Sequence, residues 1–200
     1  MQGFSLIFDL LIVLVSVIVH EVSHGYMAAY LGDPTAKLSG RLTLNPLSHL
    51  DPFGSILLPG MLYFIGAPMI GYAKPVPYNP YNLRGGKWGP ALVAMAGPGT
   101  NFLIALIFGL LLRFAPVDLA TVSVLSSIVL INIVLGVFNS IPVAPLDGSK
   151  VLFALLPYRY YWVEEWAERY SLVLVLLFII LGWPLVEWIV PLVFRLIVGV

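Results

Sequence analysis

The chain has 200 residues, of which 60% are hydrophobic and 10% charged, and its mean hydropathy is +0.98. A soluble domain is about half apolar and about one quarter charged, so this balance indicates an integral membrane protein. The ten basic and ten acidic residues give zero net charge, which offers no basis for nucleic-acid binding or a polybasic anchor. The absence of cysteine excludes disulfides, thiolate metal ligands and a cysteine nucleophile.

Residues 5–31 predict the first membrane-spanning helix, whose apolar run is interrupted by "HEVSH". No basic segment precedes the run, so we interpret it as a retained helix and not as a cleaved signal peptide. A charged side chain at the centre of a spanning helix costs roughly 2.5–3.5 kcal/mol on insertion scales. Glu21 therefore needs a role that compensates this cost.

His20 and His24 are four residues apart, so they project from one face of a helix and can bind a single ion. Glu21 lies beside the first histidine, where it can reach a metal-bound water without being a ligand. This H-E-x-x-H pattern is typical of zinc proteases, in which the glutamate is the general base. The alternative is that these polar groups only pair with neighbouring helices.

Residues 53–72 are apolar but contain two prolines and several glycines, so they either span the membrane or enter it and return. The positive-inside rule favours the re-entrant alternative, with loop 32–52 cytoplasmic. In the re-entrant topology, Arg113 is the one basic residue of nine that lies on the outer face of the membrane. If residues 53–72 spanned the membrane, three of these nine residues would lie on one face and six on the other. The eight residues that share the cytoplasmic face in the re-entrant topology are Lys37, Arg41, Lys74, Arg84, Lys87, Lys150, Arg159 and Arg169.

The rest of the chain predicts two more spanning helices, at 91–113 and 122–141, and an aromatic, charged surface helix within 157–170. Residues 171–199 contain "GWP" and Pro191, so they form either a tight helical hairpin or one long kinked helix. Residues 73–90 predict a Pro/Gly-rich loop with short extended pieces.

These elements predict an all-α polytopic membrane protein. We expect about four to six transmembrane helices, a re-entrant segment, and short extended pieces near the active site.

A catalytic zinc usually has three protein ligands, so a third is required beside the two histidines. His49 lies in a polar loop, and Asp147 stands in a "DG" pair that is also an ordinary turn. His20 is about 22 Å along its helix, and Asp147 lies beyond a helix of about 30 Å that starts near residue 122. These depths agree if the two helices run parallel, which the re-entrant topology requires. The geometry therefore favours Asp147.

Two stretches, "HEVSH" in the first apolar helix and "NSIPVAPLDG" in a later one, resemble the site-2 protease family of intramembrane zinc metalloproteases. The resemblance includes "GDPTAKLSGRLTLNPLSHLDPFGSILLP", "GYAKPVPYNP" and "MAGPGTNFLIAL", which are similar to the compact prokaryotic branch. It covers most of residues 15–155.

This resemblance implies that His20, His24 and Asp147 bind one zinc ion and that Glu21 is the catalytic base. It further implies that Asn139 contacts the substrate backbone or stabilises the developing oxyanion. The alternative for Asn139 is an interhelical hydrogen bond, as we expect for Asn132 and Asn101. Two glycines, Gly97 and Gly99, are expected to allow close approach to the metal-binding helix.

We therefore expect a single intramembrane metalloprotease domain over residues 1–200, with a core at 5–155 and C-terminal membrane helices at 171–199. Its partners would be a transmembrane protein substrate and the lipid bilayer, and "AKPVPYN" would offer a strand edge to unwound substrate. The expected location is multi-pass in a prokaryotic plasma membrane, with the active site open to the cytoplasm. The alternatives are a membrane metal transporter and a catalytically silent membrane adaptor.

Overall fold

The computed structural model describes residues 2–49 and 74–199, and within these ranges the chain is helical and contains no β-strand. The α-helices of the described ranges are α1 Gln2–Tyr30, α2 Thr35–Leu38, α3 Trp88–Phe114, α4 Leu119–Asn139, α5 Gly148–Leu155, α6 Tyr161–Arg169, α7 Ser171–Leu181 and α8 Trp183–Val198. This architecture confirms the all-α polytopic fold. The predicted re-entrant segment, 53–72, lies outside the described residues.

Among the described residues, three single helices are long and apolar enough to cross a membrane: α1 from Ile7, α3 and α4. Their side-chain contacts establish their directions. Ser23 pairs with Thr100 and His24 with Val93, so α1 and α3 run antiparallel. Ser16 contacts Asn132 and His20 contacts Asp147, so α1 and α4 run in the same direction, as the depth argument required.

The apolar core lies between α3, α4 and α8, where Ala105, Ile133 and Val186 are almost fully buried. Because lipid is as apolar as these side chains, close van der Waals packing stabilises the helix contacts. Gly136 illustrates the tightness, since a Cβ placed there would lie 3.0 Å from the ring of Phe102.

The last two helices, α7 and α8, are bent by 66° at Gly182, and together they are long and apolar enough for one broken span. At one end of the molecule Lys150 pairs with Glu164 and Glu168 of α6, which directly precedes α7. At the other end Arg113 Nη1 donates to the carbonyl of Leu196, 3.5 Å away. The pair α7–α8 thus crosses once, and the hairpin alternative for residues 171–199 is wrong.

Basic residues are strongly segregated between the two ends of the bundle. The N–H of Lys74 donates to the carbonyl of His49 at 2.9 Å, so loops 31–49 and 74–87 lie at the same end. Lys87 lies 5.9 Å from the Tyr158 ring, which brings residues 158–169 to that end as well. The eight residues predicted to share one face are therefore together, and Arg113 and Arg195 lie near the other end.

The carboxylate of Asp33 joins the end of α1 to the loop that precedes α3. It is completely buried and accepts hydrogen bonds from Thr35 Oγ1 at 2.6 Å, the Asn79 N–H at 2.7 Å and Asn82 Nδ2 at 2.9 Å. Burial raises the pKa of this carboxyl, but the hydrogen bonds from Thr35, Asn82 and Asn79 outweigh burial and lower it. The ionised form is therefore the one that stabilises the fold.

We expect Asp33→Asn to lower the free energy of unfolding by about 1–3 kcal/mol near neutral pH, because an amide N–H would face donors. Since the folded pKa is lowered, this contribution is complete above the unfolded value of about 3.9 and is lost as pH falls through the folded pKa. Thermal unfolding of the detergent-purified proteins between about pH 3 and 7 measures the difference in stability between wild type and Asp33→Asn. We expect this difference to decrease in the pH range between the unfolded and folded pKa values.

Asp118→Asn is the matched control, because Asp118 caps α4 by accepting from the Thr121 N–H and asparagine caps helices equally well. A difference between wild type and Asp33→Asn that stayed constant into strong acid would contradict the role of the Asp33 charge.

Candidate metal centre

His20, His24 and Asp147 converge at the end of the bundle where α1 and α4 terminate. The two histidine Nε2 atoms are 3.0 Å apart, and Asp147 Oδ2 lies 3.1 Å from that of His20 and 3.4 Å from that of His24. One ligand atom from each residue lies within 4.8 Å of the others. Both histidines are less than one tenth exposed.

Asp147 reaches this place because the chain turns back on itself after α4. Pro142 and Pro145 cannot continue a helical hydrogen-bond ladder, so α4 ends at Asn139 and residues 140–147 form turns. Gly148 then lies against the end of α4, where a Cβ would be 2.2 Å from the carbonyl oxygen of Ser140. Only glycine permits this approach, which places Asp147 beside the histidines of α1.

The other ring nitrogen of each histidine is held by a hydrogen bond that determines its tautomer. His20 Nδ1 lies 2.5 Å from Asn101 Oδ1, and His24 Nδ1 lies 2.7 Å from the carbonyl oxygen of Val93. Because both partners are acceptors, the Nδ1 atoms carry the hydrogens. In the neutral rings, the Nε2 lone pairs are then left for the cluster.

The orientation of the Asn101 amide follows from the next residues in the same network. Its Nδ2 donates to Asn132 Oδ1 at 2.9 Å, and Asn132 Nδ2 donates to Ser16 Oγ at 3.0 Å and the Ile128 carbonyl at 2.9 Å. The Ile128 carbonyl can only accept, so it assigns the nitrogen of Asn132 and, in turn, that of Asn101. The predicted interhelical bonds of Asn101 and Asn132 thus also orient a histidine of the cluster.

The donor set fits a divalent metal ion. The Nε2 atoms of His20 and His24 and the Oδ2 atom of Asp147 lie 3.0–3.4 Å from one another. Asp147 Oδ2 is buried and forms no hydrogen bond with the described residues. Three acceptors without a proton between them repel one another, and a cation removes this repulsion. Nitrogen and oxygen ligands of this kind are those of catalytic zinc sites.

Gly97 of α3 forms the wall of the cluster. A Cβ at this position would lie 2.5 Å from His24 Nε2 and 2.6 Å from His20 Nε2, so no side chain can be accommodated without moving the rings. Gly99 has no atom within 4 Å of its would-be Cβ. The expectation of a close approach is therefore correct for Gly97 and wrong for Gly99.

Glu21 and Asn139 line the same cavity of about 300 Å³ as the three clustered residues. Glu21 Oε2 accepts the N–H of Val76 at 3.0 Å, and Asn139 Nδ2 donates to the carbonyl of Leu135 in its own helix at 3.0 Å. Pro75, Tyr78 and Lys150 also line this cavity. The first two belong to the "AKPVPYN" segment that was expected near the substrate, whereas Lys150 had been considered only for its charge.

The amino-acid sequence is similar to those of known proteins. Residues 115–182 match the Peptidase family M50. A protein of Bacillus subtilis named "Putative zinc metalloprotease YwhC" is 34% identical over 189 residues, which cover 87% of this chain and 83% of the relative. The chain belongs to peptidase family M50.

Two more distant relatives carry similar names. "Zinc metalloprotease MJ0392" of Methanocaldococcus jannaschii is 26% identical over 78% of this chain and 36% of its own length. "Putative zinc metalloprotease Rip2" of Mycolicibacterium smegmatis is 30% identical over 70% of this chain and 53% of its own length. No solved structure matches the chain.

His49 of this M50 protein lies apart from the three clustered residues. It is 2% exposed, and its Nε2 lies 2.8 Å from the carbonyl oxygen of Thr43 in the loop after α2. It does not belong to the group of described residues that could hold a metal ion.

We expect Gly97→Ala to weaken zinc binding on the order of 10–100-fold, as for residues that orient metal ligands, because the new methyl group must displace both imidazoles. Gly99→Ala, two residues away in the same helix, is the matched control and should bind zinc like wild type. Zinc affinity is measured by competition with a chromophoric chelator. Equal affinities for the two variants would contradict the placement of Gly97 against the cluster.

Proposed function

We propose that this membrane zinc metalloprotease binds its zinc through His20, His24 and Asp147 and uses Glu21 as the general base. Its substrates are membrane proteins, cut in or near their transmembrane segments. Membership of family M50 and the names of the relatives support the reaction class. The observation that carries the assignment of residues is the cluster of three side-chain acceptors, two from α1 and one from the turn after α4.

Zinc, when bound, acidifies a water molecule and polarises the peptide carbonyl. Glu21 takes up the proton released by the water and returns it to the leaving amine. Its position supports this role, because it lines the cavity without belonging to the three clustered ligands. The Val76 N–H donates to Oε2, which leaves Oε1 as the acceptor for a proton.

Asn139 is proposed to donate to the substrate backbone or to the oxyanion. A carboxamide has two N–H groups, and one of them already donates to the Leu135 carbonyl. The second N–H is available in the cavity that Asn139 lines together with Glu21 and Asp147. A donor aimed at developing negative charge is worth about 2.7–4 kcal/mol in comparable sites.

Substrate binding requires local unwinding, because the amides of an intact helix are engaged in their own hydrogen bonds. Residues 74–79 border the cavity, but few of their amides are free to pair with a substrate strand. The N–H groups of Lys74, Val76 and Asn79 bond to His49, Glu21 and Asp33, and prolines have none. Pairing with this segment would therefore rely mainly on its carbonyl groups.

The cavity is proposed to open to the cytoplasm. It contains Lys150 and Val76, so it lies at the end of the bundle that carries eight of the ten basic residues. Under the positive-inside rule this end is cytoplasmic. The named relatives are bacterial and archaeal, which supports a prokaryotic plasma membrane as the location.

We expect about one zinc per chain in detergent-purified wild type and almost none in His20→Ala or Asp147→Ala, because two ligands do not retain a catalytic zinc. His49→Ala is the control, since His49 contacts Thr43 and lies apart from the cluster. Elemental analysis measures the content. Zinc-reconstituted wild type that stayed empty would overturn the ligand assignment.

Glu21→Gln should retain zinc and lose cleavage by about 10²–10⁴-fold, the usual contribution of a general base. The readout is cleavage of a reconstituted single-span membrane protein, followed by gel or mass spectrometry with and without chelator. A variant that still cleaved at the wild-type rate would refute Glu21 as the base. Zinc-dependent transport with no cleavage in wild type would support the alternative of a metal transporter.

A further inference from the structure

A crevice of about 500 Å³ lies between α4 and α8, on the membrane-facing side of the bundle and near the end opposite the proposed metal centre. Each helix contributes one stripe of side chains at the spacing of a single helix face. The stripes consist of Ser123, Ser126, Ser127 and Leu130 from α4, and Pro191, Phe194 and Arg195 from α8.

The serine hydroxyl groups of this crevice are available as hydrogen-bond donors. Two other serines, Ser23 in α1 and Ser140 directly after α4, donate to the carbonyl four residues earlier. The three crevice serines form no side-chain hydrogen bond within the described ranges 2–49 and 74–199. A hydroxyl group in an apolar setting costs free energy unless it finds a partner.

Arg195 adds a permanent positive charge to these hydroxyls. It is exposed, and it forms no ion pair with any carboxylate of the described residues. The other arginine at this end, Arg113, already donates to the Leu196 carbonyl. Arg195 has five N–H donors in a planar fork, a geometry that matches phosphate oxygens.

The polarity of the crevice changes with depth. Arg195 is three residues from the end of α8 at Val198, and Ser123 is four residues from the start of α4 at Leu119, so both lie about 5 Å inside the same end. Ser126 and Ser127 lie about 10–12 Å inside. Leu130 of α4 lies deeper still, so the crevice passes from cation to hydroxyls to apolar surface.

We propose that this crevice binds one phospholipid molecule. The lipid presents a phosphate, then ester oxygens, then acyl chains, which is the same order of depth as the guanidinium, the hydroxyls and the apolar wall. Arg195 binds the phosphate, the serine hydroxyls donate to phosphate and ester oxygens, and Leu130 and Phe194 contact an acyl chain. An apolar partner helix would supply no acceptor for Arg195, so the charge favours a lipid.

The test uses the full-length chain in detergent, titrated with 1-palmitoyl-2-oleoyl-phosphatidylglycerol and observed by native mass spectrometry. We expect one saturable lipid per chain. Arg195→Gln should weaken its binding on the order of tenfold, the effect of losing a charge-assisted hydrogen bond, and adding Ser126→Ala and Ser127→Ala should weaken it further. Arg169→Gln removes an exposed arginine from the other end and should leave binding unchanged.

Zinc content and helical circular dichroism establish that each variant is folded, and Arg195→Lys, which retains the charge, should keep most of the binding. Equal lipid affinity for wild type and Arg195→Gln would overturn the proposal. Competition by inorganic phosphate at equal concentration would instead identify a free-anion site. A change in the monomer–dimer distribution of Arg195→Gln with lipid binding intact would identify a contact between copies, and both results would refute the lipid.

Discussion

The structure depends on one constraint: polar groups buried between the membrane helices must be paired with other groups of the protein. Ser16, Asn132, Asn101 and His20 form a continuous hydrogen-bonded series that links α1, α4 and α3. Asn101 and Asn132 are completely buried. The same bonds hold three helices in one relative position and assign the tautomer of a histidine. Helix packing and the orientation of a proposed metal ligand are therefore a single physical arrangement.

The proposed metal centre is built from parts that are distant in the chain, and close packing brings them together. His20 and His24 belong to α1, whereas Asp147 follows α4, which must run parallel to α1 for the depths to match. Gly148 allows the chain after α4 to fold back, and Gly97 allows α3 to lie directly against both imidazoles. The two glycines matter because they lack a side chain at the points where the elements touch.

The two ends of the bundle present different chemistry. The cavity of the proposed metal centre lies at the end that carries most of the basic residues, where Lys150 both lines the cavity and pairs with Glu164 and Glu168 of α6. Arg113 and Arg195 lie near the other end, beside the end of α8. Charge is thus concentrated at the end of the bundle that contains the proposed active site. The far end presents two arginines, of which Arg113 donates to the Leu196 carbonyl and Arg195 forms no ion pair within the described residues.

The sequence by itself determined what depends on local periodicity and composition: the spanning helices, the shared face of His20 and His24, and the segregation of charge. It also indicated Asp147, because helix rise converts residue number into depth. Only the tertiary structure decided the contact of Gly97, the tautomers set by Asn101 and Val93, and the single broken crossing of α7–α8. These features depend on how each helix is rotated and tilted against its neighbours. Contacts between residues far apart in the chain set that rotation, and a hydropathy pattern does not contain it.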